Sequence, residues 1–287
     1  MSTAARVPSV IIRKNQAWLY LDWRGIVDYR DLLFVLVRRD FIARYKQTIL
    51  GPAWFVLNPL ITTLVYSLVF SSVLGVSTAG VPPVLFYLSG LLSWSYFSNL
   101  VSTAGTTFIS NVNLFGKVYF PRMVVPFALV LSNMISFGIQ LLTFLAVLAC
   151  LVVQGRFQVH AGGLAIALLL TPLYLVHIAL LGLGVGLLLS ALTAKYRDFQ
   201  YLVPFVVNLW MYASPVIYPV SHIPKRFAWL VILNPMAPIV ENMRSLFLGT
   251  PPMDTWLMAL SIGESFAVCI VGVLVFQRTA RTFIDFI

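Results

Sequence analysis

Long apolar runs dominate this sequence, and short polar or basic stretches separate them. A run of about 20 apolar residues is long enough to cross a bilayer as a helix. By this measure the pattern predicts six spans, at residues 52–74, 83–101, 123–153, 163–192, 199–218 and 256–277. We therefore expect an all-α membrane protein made of an N-terminal arm, residues 1–51, and one six-span transmembrane domain, residues 52–287.

The arm carries the pattern of an amphipathic helix at residues 29–47, and such a helix lies in the membrane interface. Its apolar positions recur at three- and four-residue spacing and are Leu33, Phe34, Val37, Phe41 and Tyr45. Its basic residues either anchor it on lipid phosphates or receive an anionic head group such as a diphosphate, which guanidinium groups bind with paired hydrogen bonds. The head-group candidates are Arg38, Arg39, Arg44 and Lys46. Leu50 and Gly51 then supply a turn into the first span.

The segment between the fifth and sixth predicted spans mixes short apolar runs with Pro and Gly residues. Neither run is long enough to cross a bilayer, so we expect two short re-entrant helices at about residues 224–249 that dip into the outer leaflet. The second has an apolar face opposed by polar residues that include Glu241 and Arg244. These helices either form an outer gate or lie in the interface without a gating role. The gate candidates are Met236, Ile239, Met243 and Phe247.

The composition indicates that the bilayer is the solvent, because 60% of the residues are hydrophobic and only 10% are charged. The net charge of +10 reflects topology and not a nucleic-acid groove, since the basic residues fall in short stretches between spans. Fifteen of the nineteen Lys and Arg residues lie in the arm, the C-terminal tail and two alternate loops. The positive-inside rule therefore predicts that both termini face the cytoplasm.

No motif for catalysis, nucleotide binding or metal binding is visible in the sequence. The only Gly-Lys pair, Gly116-Lys117, lacks the surroundings of a phosphate loop, so we expect no enzyme activity and no cofactor in this chain. The glycines within 182–186 fall inside a predicted span, where they permit close helix packing. Glu264 is the only acidic residue within a predicted span, whereas an ion-coupled carrier should have several buried carboxylates.

Short sequence blocks between residues 31 and 249 form a recognisable series. The first are Arg39-Asp40-Phe41, Arg44-Tyr45-Lys46-Gln47-Thr48, Leu50-Gly51-x-x-Trp54 and Leu57-x-Pro59. The later ones are Lys117-Val118-Tyr119-Phe120-Pro121-Arg122, Tyr196-Arg197-Asp198, Ser214-Pro215-Val216-Ile217-Tyr218-Pro219, Asn234-Pro235 and Arg244. As a set, these blocks resemble the ABC transporter type-2 permeases that export polysaccharides.

The resemblance implies a homodimer of six-span subunits in the bacterial inner membrane, with each subunit docked on a separate ABC ATPase subunit that binds the ATP and Mg²⁺. In such permeases the amphipathic helix and the Leu50-Gly51 turn border a lateral entrance, and the short helices before the last span form a periplasmic gate. The loop between the second and third spans docks the ATPase, although its polarity alone also fits a simple turn. The docking candidates are Asn111, Asn113 and Lys117.

The resemblance also implies a channel lined by aromatic and small polar side chains. Such a lining suits sugars, because the apolar ring faces stack on aromatic rings while the hydroxyls exchange hydrogen bonds. The lining candidates are Tyr66, Phe70, Tyr87, Trp94, Tyr96, Tyr201, Trp210 and Tyr212. Many of them could equally be interfacial belt residues or lipid-facing residues.

We therefore expect the permease subunit of an ABC exporter that moves an undecaprenyl-diphosphate-linked polysaccharide, such as O-antigen, from cytoplasm to periplasm. A capsule polymer, a teichoic-type polymer and a small amphiphile are alternative substrates for the same fold. An ion-coupled lipid-sugar flippase and a membrane glycosyltransferase are more distant alternatives. Co-purification with an ATPase would separate the ABC exporter from the flippase.

Overall fold

The computed structural model describes residues 23–117, 120–159 and 161–282, which contain twelve α-helices and no strand. The helices are α1 (Trp23–Asp28), α2 (Arg30–Ala43), α3 (Trp54–Tyr66), α4 (Pro83–Gly105), α5 (Thr107–Ser110), α6 (Val112–Lys117), α7 (Val124–Val153), α8 (Ala161–Lys195), α9 (Phe199–Tyr212), α10 (Ala228–Ile232), α11 (Met236–Leu248) and α12 (Thr255–Thr282). The first 22 residues of the predicted arm lie outside the described residues.

Five predicted spans correspond to five helices of the described chain that are long and apolar enough to cross a membrane. Four of these spans are α4, α7, α8 and α12. The first span joins a short 3₁₀ turn, α3 and a π-helix, Ser67–Val73, into one segment from Gly51 to Val73. The predicted all-α membrane class is confirmed.

The fifth predicted span has a different end from the one expected. Helix α9 contains 14 residues, which cover about 21 Å at ~1.5 Å per residue and are too few to cross the hydrocarbon core alone. The prediction that this helix continues to residue 218 is wrong, because the chain leaves the helix at Ala213, shortly before Pro215 and Pro219. The non-helical segment that follows is buried within the protein at Ser214 through Ile217.

Helix α4 is the centre of the bundle. It packs against α3, α7, α8, α9 and α11, and 78% of its apolar window is buried, compared with 11% for the first span. Helix α8 packs between α4 and α12, and its glycines make this possible. A Cβ on Gly184 would stand 2.6 Å from the backbone nitrogen of Cys269, and one on Gly186 would stand 2.5 Å from the Cβ of Ala104. The predicted close packing at residues 182–186 is confirmed.

Helix α2 of the arm packs along α7 with one apolar stripe. The buried side chains of this stripe are Leu36 and Val37, whereas Phe34 is 65% exposed. Of the predicted apolar face, Val37 packs against the protein and Phe34 points away from it, as an apolar residue of an interface helix can do, so the interface position stays a prediction. The end of α2 thereby lies beside the start of the first span.

The segment before the last span contains the two short helices expected there, α10 and α11. Helix α11 ends at Gly249, whose φ of +67° is a left-handed conformation that glycine adopts without strain. Helix α11 packs on α4, α8 and α12 and is buried on nearly all sides. The predicted polar face with Glu241 and Arg244 is therefore wrong as a surface, because both side chains lie inside the protein.

Candidate substrate-entry site

A cavity of about 420 Å³ lies where the arm meets the first three spans. Its walls come from the end of α2, the first turns of α3, the second half of α4 and the middle of α7. Most of its polar side chains carry an amide or a hydroxyl, and they include Asn58, Thr62, Ser95, Asn99 and Gln140. A polar cavity among apolar spans is able to hold a hydroxylated or charged molecule that the bilayer itself would exclude.

Arg44 is the basic side chain of this cavity. Its guanidinium donates hydrogen bonds to Asn133 Oδ1 at 2.8 Å and to Ser136 Oγ at 3.0 Å, both on α7. Burial lowers the pKa of this guanidinium and the nearby Asp40 opposes that shift, but an arginine keeps its charge at neutral pH. Asn133 and Ser136 are neutral and Asp40 forms its ion pair with Arg39, so the positive charge of Arg44 stays available to an anion in the cavity.

The carbonyl oxygen of Gln140 adds to this character. Its Oε1 atom is buried and has no hydrogen-bond partner among the described residues. A buried acceptor without a partner costs free energy that a hydroxyl-bearing ligand would recover. The cavity therefore has a cation from the arm and, on α7, an amide oxygen without a partner among the described residues.

The predicted entry residues do not all meet at this cavity. Arg44 and Gly51 line it, and Gly51 has a φ of +52° with open space around its Cβ position. Arg38, Lys46 and Leu50 are exposed on the arm and outside the cavity wall.

Arg39 is directed elsewhere. Its guanidinium pairs with Asp40 at 2.8 Å and donates to Asn111 Oδ1 at 3.0 Å. Arg39 therefore joins the arm to the loop after α4.

A second polar cluster closes the non-helical end of α9. Backbone carbonyls that no helix satisfies need other donors, above all at membrane depth. Arg244 of α11 satisfies two of these carbonyls. Its Nη2 donates to the carbonyl oxygen of Pro215 at 2.9 Å and to that of Val216 at 3.3 Å. The same guanidinium pairs with Glu241 and lies 3.7 Å from the ring centre of Phe86.

Asn234 also donates hydrogen bonds to the segment at the end of α9. Its Nδ2 donates to the carbonyl oxygen of Ala213 at 3.0 Å and to Ser214 Oγ at 2.9 Å, and its Oδ1 accepts from the indole of Trp210 at 2.9 Å. Tyr218 completes the closure by donating to the carbonyl oxygen of Tyr212 at 2.8 Å. We call Arg244, Glu241 and Asn234 the α11 bracket.

Sequence reasoning missed the α11 bracket. Asn234, Arg244 and the Ser214–Pro219 block belonged to the family resemblance, but nothing there joined them to one another. The local signal was an acid and a base three residues apart on a mostly apolar helix, a spacing that puts both side chains on one face. That spacing also occurs on many exposed helices. Only the packing of α11 against α4 shows that the pair is buried.

Comparison with known proteins decides the family. The sequence model of the ABC-2 type transporter family matches residues 31–248, from the start of α2 to the end of α11. This chain belongs to the ABC-2 type transporter family.

Three similar proteins have names that refer to polysaccharide transport. The chain is 28% identical over 256 residues to the O-antigen export system permease protein RfbA of Klebsiella pneumoniae, which covers 89% of this chain and 94% of that protein. It is 31% identical over 226 residues to the protein of the same name from Myxococcus xanthus, which covers 78% of this chain and 83% of that protein. It is 23% identical over 211 residues to the polysialic acid transport protein KpsM of Escherichia coli. This match covers 73% of this chain and 78% of that protein.

The predicted docking loop of this ABC-2 transporter follows α4 and contains two short helices, α5 and α6. Of its docking candidates, Asn113 is exposed, whereas Asn111 is buried. Asn111 donates to the carbonyl oxygen of Thr107 and accepts from Arg39, so it holds the loop together and does not offer a free surface. The side chain of Lys117 lies outside the described residues.

The channel-lining candidates fall into separate groups in this transporter. Tyr66 has edge contacts with Phe70 and Tyr87, which join the first span to α4. Trp94 and Trp210 both contact the Phe97 ring, which joins α4 to α9. Tyr96 packs on Phe137 of α7, and Tyr201 and Tyr212 are exposed on α9. The structure therefore gives two clusters, Tyr66 with Phe70 and Tyr87, and Trp94 with Trp210, and the channel role of all eight candidates stays a prediction.

The gate candidates lie in the core of the protomer. Met236, Ile239, Met243 and Phe247 are each at most 2% exposed, because α11 is enclosed by the spans. None of the four faces an open passage in a single protomer, and a gating role for them stays a prediction.

Proposed function

We propose that this chain is the transmembrane permease subunit of an ABC exporter that moves an undecaprenyl-diphosphate-linked polysaccharide, such as O-antigen, from the cytoplasm to the periplasm. Membership of the ABC-2 type transporter family and the names of its O-antigen relatives support the proposal. The observation that carries it is the polar cavity beside Gly51, with the charge of Arg44 at its mouth.

The substrate has two parts that this cavity suits. A diphosphate carries negative charge that a guanidinium binds with paired hydrogen bonds, and Arg44 retains donors beyond the two it gives to α7. Sugar hydroxyls find amide and hydroxyl partners at Asn58, Asn99 and Gln140. The exposed Arg38 and Lys46 attract the head group to the arm before it enters.

The transporter acts as a homodimer bound to two ABC ATPase subunits, which hold the ATP and Mg²⁺. Two features support the dimer: the first span is only 11% buried in one protomer, and α9 exposes a row of large apolar side chains that includes Tyr201, Phe205 and Tyr212. The bundle is then a multi-pass protein of the bacterial inner membrane with cytoplasmic termini, as the basic residues indicate.

The ATPase docks on the loop of α5 and α6. Asn113 is exposed there for contact, and the hydrogen bond between Asn111 and Arg39 connects that loop to the arm. A movement of the loop driven by ATP therefore reaches α2 through one short link. The arm in turn carries Arg44 at the mouth of the cavity.

Deletion of the gene and complementation test the proposal. We expect the deletion strain to lose surface O-antigen and to accumulate the lipid-linked glycan inside. The wild-type chain should restore the surface glycan only together with an ATPase subunit that hydrolyses ATP. Normal surface glycan in the deletion strain would refute the proposal.

A capsule polymer is the second candidate substrate, because the polysialic acid transport protein is also a relative. Its identity is 23%, compared with 28% and 31% for the O-antigen permeases, so O-antigen is the better supported substrate. The glycan that accumulates in the deletion strain separates the two candidates. A capsular polymer in that strain, with normal O-antigen, would select the capsule.

A further inference from the structure

A second cavity lies at the other end of the spans, far from Arg44. It measures about 450 Å³ and is bounded by the loop before α4, the segment after α9, α10, α11 and the start of α12. Its size lies within the range of about 300–1,000 Å³ that is usual for small-molecule sites. The proposed function has not used this cavity.

The polar part of its wall is built and fixed. Arg244 is fully buried and Glu241 is 9% exposed, and both line the cavity. The carboxylate of Glu241 accepts a hydrogen bond from Arg244 Nη1, which holds it in place. Thr250 also lines the cavity, and its buried hydroxyl has no hydrogen-bond partner among the described residues.

The charges of the wall favour an uncharged ligand. Two carboxylates, Glu241 and Asp254, line the cavity, while the Arg244 guanidinium already binds Glu241 and two backbone carbonyls. The described lining offers no further cation. An anionic sugar or a phosphate would meet net negative charge here, whereas neutral hydroxyls can donate to the carboxylates.

The rest of the wall is apolar and includes an indole. Trp256 lines the cavity and is 55% exposed, and Phe86 of α4 and Val231 of α10 also line it. An indole binds the C–H face of a sugar ring, and its burial against a ligand contributes apolar contact. A mostly apolar cavity with a few fixed polar groups is the usual form of a ligand site.

We propose that this cavity binds one uncharged sugar unit of the exported glycan at the periplasmic face, with its ring on Trp256 and its hydroxyls on Asp254, Glu241 and Thr250. The identity of the ligand as the exported glycan rests on the proposed function. Such a site holds a glycan that has reached this side and disfavours acidic polymers. It therefore adds selectivity at the exit, in contrast to the charged entry.

The chain offers a matched pair of tryptophans for the test. Trp229 on α10 is 54% exposed and does not line the cavity, whereas Trp256 is 55% exposed and does. The permease in nanodiscs is titrated calorimetrically with the O-polysaccharide that mild acid releases from the producing strain. We expect Trp256→Ala and Thr250→Val to weaken binding by about tenfold, and Trp229→Ala to change it by less than about twofold. Polysialic acid, as an acidic polymer, should bind at least about tenfold more weakly than the strain's own glycan.

Three outcomes would overturn the inference. These are an absence of binding by the released glycan, equal effects of Trp256→Ala and Trp229→Ala, and equal binding of polysialic acid. A photoactivatable phospholipid that labels Val231 or Leu257 in the nanodisc, without glycan binding, would identify the cavity as a lipid site instead. As a control for folding, each variant is heated and gel filtration monitors how much folded protein remains.

The result separates this inference from the proposed function. If the released glycan does not bind but the deletion strain still loses surface glycan, only the exit site is wrong. If the deletion strain keeps its surface glycan, the proposed function fails whatever the titration gives.

Discussion

The two cavities each contain a buried or half-buried arginine, and the two arginines have opposite surroundings. Arg44 at the entry donates to a neutral amide and a neutral hydroxyl. Arg244 at the far end is fully buried, pairs with Glu241 and caps two backbone carbonyls. The partners decide the role: the charge of Arg44 stays available to a ligand, whereas that of Arg244 is neutralised and serves the fold.

This contrast explains how a broken span is tolerated in the membrane. The carbonyls freed at the end of α9 would cost several kcal/mol each if they faced lipid. The α11 bracket supplies donors to them from Arg244 of the buried helix α11 and from Asn234 just before that helix. The entry cavity needs no such closure, because most of its polar side chains belong to continuous helices, α3, α4 and α7.

Stability should respond most strongly at Arg244. We expect Arg244→Ala to destabilise the protein by about 3–5 kcal/mol, because it leaves the Glu241 carboxylate buried without its partner. Arg44→Ala should cost less, about 1–3 kcal/mol, because it removes two hydrogen bonds but leaves no buried charge without its partner. The difference in stability is measured by heating both variants in detergent and using gel filtration to monitor how much folded protein remains. Similar losses of stability would contradict the contrast.

A smaller effect is expected from the packing around Arg244. A Cβ on Gly90 would stand 2.9 Å from Arg244 Nη2 and 3.0 Å from the carbonyl oxygen of Val216. Gly90→Ala should therefore cost about 1–3 kcal/mol by displacing the bracket. Gly138→Ala is the control, since nothing lies within 4 Å of its Cβ position. If the two variants unfold at the same temperature, the tight fit at Gly90 is unimportant.

The link between the arm and the docking loop should give a weaker effect. Arg39 and Asn111 share one hydrogen bond at a partly buried site, worth about 0.5–1.5 kcal/mol. We expect Arg39→Ala and Asn111→Ala to lower export several-fold, and the double variant to lower it no further than the worse single variant. Quantified surface glycan in the complemented strain gives the three values. Additive losses would mean that the two residues act separately.

The smallest effect is expected at Glu264. Its side chain is partly exposed on α12, outside both cavities. If export is driven by ATP, Glu264→Gln should change surface glycan by less than about twofold, since no coupling ion needs the carboxylate. Abolished export in this variant would favour the ion-coupled alternative.

The parts that sequence predicted are those that depend on local pattern. Hydropathy gave the long spans, and three- and four-residue spacing gave the helix of the arm. Pro215 and Pro219 are consistent with the end of the helix at Tyr212. Apolar residues continue past that point, however, and hydropathy counted them in the span. Local pattern cannot distinguish an apolar turn from an apolar helix.

The parts that sequence missed depend on contacts between distant segments. Arg39 and Arg44 are five positions apart on the arm, yet one binds the loop after α4 and the other the middle of α7. Glu241 and Arg244 read as a polar surface, because nothing in α11 itself shows that α4 covers it. Which arginine meets the substrate is therefore a property of the packing.

The most direct test of this account is a titration of undecaprenyl diphosphate into the transporter in nanodiscs. Arg44→Gln should weaken binding by about tenfold or more, because it removes the charge from the cavity. Arg30→Gln is the matched control, since Arg30 lies on the same arm helix with a 74% exposed side chain. We expect a change of less than about twofold for that control. Equal affinity of the Arg44→Gln variant and the wild type would contradict it.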